Sequence, residues 1–200
     1  CVAAWHAALA GPELDVLLIE RDRAIGAPVR CAEGVGGPGL REFLDPVGAP
    51  WVSREISRIV FVAPDDTEAS GEARDHAVIL DRTRFGPALA SEARRAGAEI
   101  RIATEAVGLR RAGEGWEVTL SGSRGEETVR AKVVIGADGV ESMVGRGAGL
   151  DTRVPLRDME SCAQYVVSNI AFDPGALYLH FGETIAPHGY AWIFPKGVGV

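Results

Sequence analysis

A short apolar run that ends in a single acid is the feature that most constrains how this chain folds. Residues 16–19 (V-L-L-I) are wholly apolar, and Glu20 follows them. A continuous apolar run of this length is typical of a strand buried on both faces in a parallel sheet. The preceding residues 1–10 are rich in alanine, and Gly11-Pro12 then interrupts them. We therefore predict a helix, a short turn and a buried strand, in the order that α/β domains use.

The position of Glu20 indicates a nucleotide-binding unit. In a Rossmann unit, an acid at the end of the second strand binds the ribose hydroxyls of a dinucleotide, about 20 residues after a glycine-rich phosphate loop. Counting back from Glu20 by that distance reaches the start of the chain, so we expect the loop to precede Cys1 in a longer protein. A helix–strand pair from an unrelated α/β domain remains an equally good explanation of this stretch alone.

Composition and charge argue against several classes of protein. The net charge of −7 argues against a nucleic-acid partner. There is no apolar run of membrane-spanning length and no visible secretory signal. The three cysteines (Cys1, Cys31 and Cys162) have neither disulfide nor zinc-binding spacing, and the four histidines are scattered. We predict a protein of a reducing compartment that has no metal site.

Hydrophobic periodicity predicts two kinds of sheet. Three short apolar runs are typical of parallel strands: residues 16–20, 99–103 and 132–136. Alternating patterns predict antiparallel strands: a hairpin over 57–80, a meander over 106–130, and strands over 161–170, 176–182 and 190–195. Further helices are predicted over 36–44, 83–96 and 140–148.

Together these patterns predict an α/β fold with two interleaved domains. This layout resembles that of two-domain flavoproteins, and the resemblance implies a Rossmann-like FAD-binding domain, truncated at its glycine-rich loop, over residues 1–55 and 81–150. We expect an antiparallel-sheet domain that binds the substrate over residues 56–80 and 151–200.

Two motifs narrow the class of nucleotide. Residues 134–139 (V-I-G-A-D-G) place an acid in a glycine-flanked turn between an apolar run and a predicted helix. Glycines let the backbone approach a phosphate closely, and a helix N-terminus adds positive potential there. An Asp-Gly turn is also common without any ligand. Together with Glu20 and the pair Asp81-Arg82, however, this turn resembles the superfamily of FAD-dependent hydroxylases and reductases, in which both motifs contact FAD.

Two further segments resemble one family within that superfamily. Residues 28–34 (P-V-R-C-A-E-G) look like the P-V-R-C-x-E-G segment of geranylgeranyl reductases. Residues 187–195 (P-H-G-Y-A-W-I-F-P) are similar to the family's P-x-x-Y-x-W-x-F-P signature. The C-x-E-G form is that of the archaeal, lipid-reducing members. The resemblance implies an FAD-dependent reductase that saturates the C=C bonds of geranylgeranyl chains in archaeal isoprenoid ether lipids.

The resemblance also implies the site residues. Those implied to bind FAD are Glu20, Cys31, Ala32, Gly34, Arg82, Ala106, Asp138 and Gly139. Cys31 is in addition the implied catalytic residue. Those implied to line the site for the prenyl lipid are Pro187, Tyr190, Trp192, Phe194 and Pro195. Because alternate side chains of a strand share a face, we expect the three aromatic residues to point the same way.

The electron donor implied by the resemblance is NAD(P)H or a ferredoxin, which would be a partner protein. The protein is expected in the cytoplasm, in peripheral contact with the inner face of the membrane that contains its lipid substrate.

Other interpretations remain open at this stage. Chemistry alone favours Cys31 as a small buried hydrophobe, although the neighbouring Arg30 favours a reactive thiolate. The aromatic strand is by composition alone an ordinary piece of core.

Two other functions fit the fold: an FAD-dependent aromatic-ring monooxygenase, and a flavin- or prenyl-lipid-binding protein without catalysis.

Overall fold

The computed structural model describes residues 1–197, and their side chains except those of residues 74–76. This part of the chain divides into two compact units. The first comprises Cys1, Ala3–Pro28 and Ala90–Ala163. The second comprises Val2, Val29–Leu89 and the residues from Gln164 onward.

The first unit contains the predicted parallel pair of strands. Strand β1 (Leu17–Ile19) pairs in parallel with β5 (Glu99–Arg101). Helix α1 (Val2–Ala10) contributes Ala8 to a small core with Ala93 and Ala98. Alanine side chains allow the packed elements to approach closely. The predicted helix, turn and strand are confirmed, although the residues of β1 are half-buried rather than fully buried.

The first unit also contains the predicted meander. Its three strands are β6 (Thr104–Ala112), β7 (Gly115–Gly122) and β8 (Gly125–Ala131), paired antiparallel in that order. Gly113 in the first connecting turn has a positive φ of 61°, and Gly125, which begins β8 directly after the second turn, has a φ of 100°. Glycine adopts this conformation without the steric penalty of a side chain, which explains why the turns are as tight as the sequence predicts.

The second unit is built on a five-stranded sheet in the order β10-β9-β3-β4-β2. Its strands are β2 (Gly34–Val35), β3 (Val52–Val62), β4 (Glu68–Leu80), β9 (Ala176–Phe181) and β10 (Tyr190–Ile193). The hairpin of β3 and β4 is confirmed and is longer than predicted. Strand β9 runs parallel to β3 and antiparallel to β10. Ile56, Ile79 and Leu177 form a buried core cluster of this sheet.

Three further helices have been predicted close to their observed bounds. They are α2 (Gly37–Arg41), α3 (Arg82–Arg95) and α4 (Met143–Gly147). The division between the two units falls within α3. Phe85, Leu89 and Ala93 are buried, as the helical spacing predicts. Among the described residues, no helix is both long enough and apolar enough to cross a membrane.

Two predicted strands are wrong within the described part of the chain. Residues 132–136 and 161–170 are not strands. Their apolar side chains are largely exposed: Val133 is 75% and Tyr165 84% accessible. A strand exists only where a neighbour pairs with its N–H and C=O groups, and neither segment has such a neighbour among the described residues. An apolar pattern alone therefore mispredicted them.

Asp81 caps the N-terminus of α3. Its carbonyl accepts the first helical hydrogen bond from the Phe85 N–H (2.8 Å), and its Oδ1 accepts from the N–H of Thr83 (3.0 Å). The hydroxyl of Thr83 donates to the same oxygen. This hydroxyl, assisted by the positive charges of Arg84 and Lys196, holds the pKa of Asp81 below its usual value.

We expect Asp81→Ala to lower the free energy of unfolding of the full-length protein by about 1 kcal/mol at pH 7, the usual contribution of a helix cap. A carboxyl whose pKa is depressed by folding stabilises the protein above its unfolded pKa, near 4. That stabilisation is lost as the pH falls through the folded pKa. Urea unfolding at a series of pH values should therefore show the difference from wild type shrinking below about pH 4. The exposed Asp15 provides the control, and an Asp15→Ala effect of equal size would contradict the capping role.

Candidate functional site

The two segments that resemble the reductase family meet in the second unit. Gly34 lies in β2 and pairs with Ile79 of β4. A Cβ atom added to Gly34 would lie 2.9 Å from Cε2 of Phe194, closer than carbon atoms approach. The C-x-E-G turn and the end of the aromatic strand are therefore in direct contact, and a residue larger than glycine at position 34 would displace the Phe194 ring.

An ion pair with a buried carboxylate adds a second contact between these segments. The side chain of Glu33 is fully inaccessible to solvent, and its Oε2 is paired with Nζ of Lys196. Its other oxygen, Oε1, accepts a hydrogen bond from the backbone N–H of Arg82 (2.8 Å). Both oxygens thus have partners, which a buried carboxylate requires because its desolvation is costly.

The thiol of Cys31 lies within this cluster. Its Sγ accepts a hydrogen bond from the backbone N–H of Glu33 at 3.3 Å, and Nη2 of Arg82 lies 3.8 Å from the same sulfur. Cys31 and the adjacent Ala32 are half-buried. Glu33, to which the sequence assigned no role, therefore lies at the centre of this cluster. Around it lie four residues that the sequence did identify: Cys31, Gly34, Arg82 and Phe194.

The backbone at Glu33 is unusual. Its φ is +69°, in the left-handed region that residues other than glycine rarely adopt. Its carbonyl accepts a hydrogen bond from the N–H of Leu80 (2.9 Å). A side chain in this conformation costs on the order of 1 kcal/mol relative to an ordinary one. The hydrogen bonds and the ion pair of Glu33 offset this cost.

Aromatic rings form a continuous row on one face of the sheet. The row consists of Phe61, Phe181, Tyr190, Trp192 and Phe194, and we call it the aromatic row. Successive ring centroids are 6.3, 5.9, 6.2 and 6.5 Å apart. The prediction that the three aromatic residues of the motif share a face is confirmed.

The aromatic row differs from a closed core. Tyr190 is 50% exposed, and Phe61 and Phe181 are also exposed. Contiguous exposed aromatic side chains mark a surface that a ligand or another part of a protein covers, and Phe194 at the end of the row packs against the core cluster of Ile56, Ile79 and Leu177. The prolines that bracket the strand differ in burial: Pro187 is exposed and Pro195 is buried.

The residues implied to bind the ribose and adenine lie in the first unit. Glu20 follows β1 at its carboxyl end, where its N–H donates to the carbonyl of Arg101 (2.9 Å). Its Oε1 accepts from the N–H of Asp22 (3.0 Å), which orients the carboxylate. The carbonyl of Glu20 also accepts from the N–H of Thr104, at the start of the strand that contains Ala106. Glu20 and Ala106 therefore belong to one local structure.

Asp138 and Gly139 occupy the predicted turn before α4. Gly139 has a φ of +77°, and Asp138 accepts hydrogen bonds from the Val144 N–H (2.8 Å) and the Ser142 hydroxyl (3.1 Å). Desolvation opposes the ionisation of Asp138, but these hydrogen bonds outweigh it and leave the pKa of Asp138 below its usual value. The turn and helix are present as predicted, whereas the strand expected before them is not.

The chemistry of these groups fits FAD. A carboxylate at the carboxyl end of a parallel strand is suited to accept hydrogen bonds from ribose hydroxyls. An exposed turn with a glycine at positive φ allows close approach of a phosphate group. The guanidinium of Arg82, which lies beside the Cys31 thiol, has N–H donors of the kind that suit the polar edge of a flavin.

Several residues of these clusters were missed by sequence reasoning. Glu33 stood inside a quoted motif without a role, and Lys196 directly follows the aromatic motif. No spacing rule connects two residues so far apart in the chain. Phe61 and Phe181 were treated as ordinary strand residues, and only their partners across the sheet place them in the aromatic row.

Two family models match the chain. Residues 42–175 match the FAD binding domain, and residues 158–200 match the geranylgeranyl reductase catalytic domain. The first match covers more than half of the chain, so the chain belongs to the FAD-binding domain family. The predicted fold class is confirmed. The second match includes the whole aromatic motif.

Named relatives define the resemblance more closely. The chain is 47% identical to a digeranylgeranylglycerophospholipid reductase of Methanosphaerula palustris over 189 residues, which cover 92% of this chain and 47% of the relative. It is 45% identical to the digeranylgeranylglycerophospholipid reductase of Methanocella arvoryzae over 190 residues, 92% of this chain and 48% of the relative. The predicted resemblance to geranylgeranyl reductases is confirmed.

A solved structure agrees with both comparisons. A geranylgeranyl bacteriochlorophyll reductase-like protein from Thermoplasma acidophilum superposes with a TM-score of 0.83 at 30% identity, covering 99% of this chain and 51% of that one. The chain thus spans about half the length of the curated relatives it matches.

Proposed function

We propose that the full-length protein is an FAD-dependent reductase that saturates the C=C bonds of geranylgeranyl chains in isoprenoid ether lipids. The contact between the C-x-E-G turn and the aromatic motif carries this proposal. Phe194 packs on Gly34, and Lys196 pairs with Glu33, and these contacts between two segments far apart in the chain support a single shared site. The relatives named digeranylgeranylglycerophospholipid reductase support the same activity.

The aromatic row supplies the wall for a prenyl chain. A long hydrocarbon is bound mainly by the apolar area it buries, and flat rings provide that area with few rotamers to immobilise. In this proposal Tyr190, Trp192 and Phe194 contact the chain, and Pro187 and Pro195 fix the ends of their strand. The exposure of Tyr190 and Phe61 in the described part of the chain supports this assignment, because an exposed ring has surface that a hydrocarbon chain can bury.

The proposed roles at the cofactor follow from the contacts of each residue. Glu20 binds the ribose hydroxyls, backbone near Ala106 meets the adenine, and the turn at Asp138 and Gly139 lies at the cofactor's phosphates. In the second unit the flavin lies against Cys31, Ala32, Gly34 and Arg82. When bound, reduced FAD would supply a hydride for one carbon of the alkene, and a proton would be added to the other carbon to complete the saturation. Cys31, held by the N–H of Glu33 and by Arg82, contacts the reacting bond and keeps it in place.

The remaining assignments concern the setting of the reaction. Electrons come from NAD(P)H or from a ferredoxin, and comparing the rates at which each reduces the bound FAD identifies the donor. The protein acts in the cytoplasm, in peripheral contact with the inner face of the membrane.

The FAD-binding part comprises residues 1–55 and 81–150, and the substrate-binding part residues 56–80 and 151–200.

Anaerobic oxidation of the reduced protein by lipid tests the function. We expect a digeranylgeranyl ether lipid to oxidise the bound reduced FAD and to become saturated, as measured by absorbance and by mass spectrometry of the lipid. Binding of the lipid without any oxidation would instead identify a non-catalytic binding protein. Oxygen uptake stimulated by a phenol, with no saturation of the lipid, would identify a monooxygenase.

Glu20→Ala tests the cofactor site separately. We expect the substitution to weaken the affinity of the full-length apoprotein for FAD about tenfold, because the ribose hydroxyls lose a charged acceptor in a partly desolvated place. Fluorescence titration with FAD measures the change. Glu13→Ala is the matched control, since Glu13 is exposed in the turn before β1. An unchanged affinity in Glu20→Ala would exclude Glu20 from the site.

A further inference from the structure

We propose that Glu33 is a positioning residue, whose buried carboxylate joins the C-x-E-G turn to Lys196 and to the first residue of α3 and thereby determines where the thiol of Cys31 lies. This inference rests on the function proposed above. It assigns a role in the site to Glu33 and to Lys196, two residues to which neither the motifs nor the spacing assigns one.

The carboxylate of Glu33 connects three segments of the second unit. Its Oε1 accepts from the backbone N–H of Arg82, where α3 begins, and its Oε2 pairs with Lys196, which follows the aromatic motif. Glu33 is fully buried, whereas the Lys196 side chain retains 33% of its accessible surface. The carboxylate itself has no solvent-accessible surface, so its position depends on these contacts.

Glu33 reaches Cys31 by two routes. Its own N–H donates to the sulfur at 3.3 Å. Its carboxylate also fixes the backbone of Arg82, whose guanidinium lies 3.8 Å from the same sulfur. One donor to the sulfur is thus the backbone N–H of Glu33 itself, and the other belongs to Arg82, whose backbone N–H the Glu33 carboxylate binds. A shift of the carboxylate would displace both the Glu33 backbone and the start of α3, and would so alter both contacts.

The backbone conformation supports a role for the side chain itself. Glycine would be the favoured residue at position 33 on two grounds. It adopts a φ of +69° without strain, and it has no charged side chain to desolvate. A glutamate in this conformation is held there by its surroundings, and strained residues of this kind are concentrated at functional sites. The contacts to Arg82 and Lys196 identify what the carboxylate does at this position.

The alkylation rate of Cys31 separates positioning from mere stability. The full-length protein is treated with iodoacetamide well below its melting temperature, and the modified peptides are quantified by mass spectrometry. Glu33→Gln keeps an oxygen that accepts from Arg82 and removes the charge, while Lys196→Met removes the partner. We expect each to change the alkylation rate of Cys31 at least about threefold, because thiol reactivity depends strongly on the groups around the sulfur.

Matched variants and an internal reference control this measurement. Glu55→Gln and Lys132→Met make the same chemical changes at exposed positions, and we expect neither to alter the rate at Cys31. The exposed Cys162 should react at one rate in every protein. Since Glu33 and Lys196 act as a pair, the double variant should show the same alkylation rate at Cys31 as either single variant. Lys196→Arg keeps the positive charge and should leave this rate at the wild-type value.

Kinetics provide a second readout. With the prenyl lipid as substrate, we expect Glu33→Gln to lower kcat about tenfold and to change KM less than about twofold, since it misplaces a reacting contact without removing the aromatic row. Because alkylation needs neither lipid nor reductant, it gives an answer even if the proposed reduction fails. A protein that does not reduce lipid but shows the altered alkylation would refute the function and retain the positioning role.

One result would overturn the inference. If the folded variants melt at lower temperature but Cys31 is alkylated at the wild-type rate, the Glu33–Lys196 pair only stabilises the fold. Should Glu33→Gln fail to fold, Lys196→Met decides the question alone, because Lys196 is partly exposed and its loss leaves the acceptor of Arg82 intact.

Discussion

Replacing Cys31 by alanine in the full-length, FAD-loaded protein is expected to slow the reduction of the prenyl lipid by about 100-fold while leaving FAD bound. The expected size is that of misplacing a reacting bond by about 1 Å. The sulfur is held by the N–H of Glu33 and lies near the guanidinium of Arg82, so its position is well defined. Anaerobic stopped-flow measurement of the oxidation of bound reduced FAD by the lipid gives the rate directly.

The control for this experiment is Cys162→Ala, which removes an exposed thiol from the other unit. Its rate should equal that of the wild type. If Cys31 only packs, Cys31→Ala lowers the melting temperature and leaves the rate of the folded enzyme unchanged. That result would return Cys31 to the role of a small buried hydrophobe.

Trp192→Ala is expected to raise the KM for a long prenyl lipid about 30-fold, with a much smaller increase for a short analogue such as farnesol. Removing the ring takes away about 2 kcal/mol of apolar contact with a chain that extends along the aromatic row. The Trp192 ring lies between Tyr190 and Phe194, with centroids 6.2 and 6.5 Å away. A short chain that ends before Trp192 loses little. Steady-state kinetics with both substrates measures the difference, and FAD affinity should hardly change.

Trp116→Ala is the matched control for this substitution. Trp116 lies in the first unit, where its ring stacks with the guanidinium of Arg111. Its loss should leave the KM for both substrates unchanged. Equal losses of activity toward long and short substrates in Trp192→Ala, together with a large fall in melting temperature, would show that the aromatic row is core and does not bind the lipid.

Local patterns were sufficient where neighbouring residues determine the structure. Helix α3 begins beside a capping acid and buries Phe85, Leu89 and Ala93, as its periodicity predicts. The hairpin of β3 and β4 and the meander were also predicted, because in each the strands pair with their neighbours along the chain. In these elements each strand pairs with the next strand along the chain, and the most distant partners, Val52 and Leu80, are 28 residues apart.

Patterns failed where a segment depends on a distant partner. Residues 132–136 and 161–170 are apolar enough for strands, yet they pair with no strand among the described residues. For the same reason the ion pair of Glu33 and Lys196 could not be predicted, since it joins positions 33 and 196. The positive φ of Glu33 could not be predicted either, since such a conformation is normally expected at a glycine.

The amino-acid sequence by itself determined the class of fold, the resemblance to geranylgeranyl reductases and the common face of Tyr190, Trp192 and Phe194. Each of these follows from residue type and local spacing, which the chain alone specifies. The tertiary structure alone decided that Phe61 and Phe181 extend the aromatic row and that Glu33 is buried between Arg82 and Lys196. Such contacts form between segments far apart in the chain, and their geometry depends on how the sheet pairs its strands.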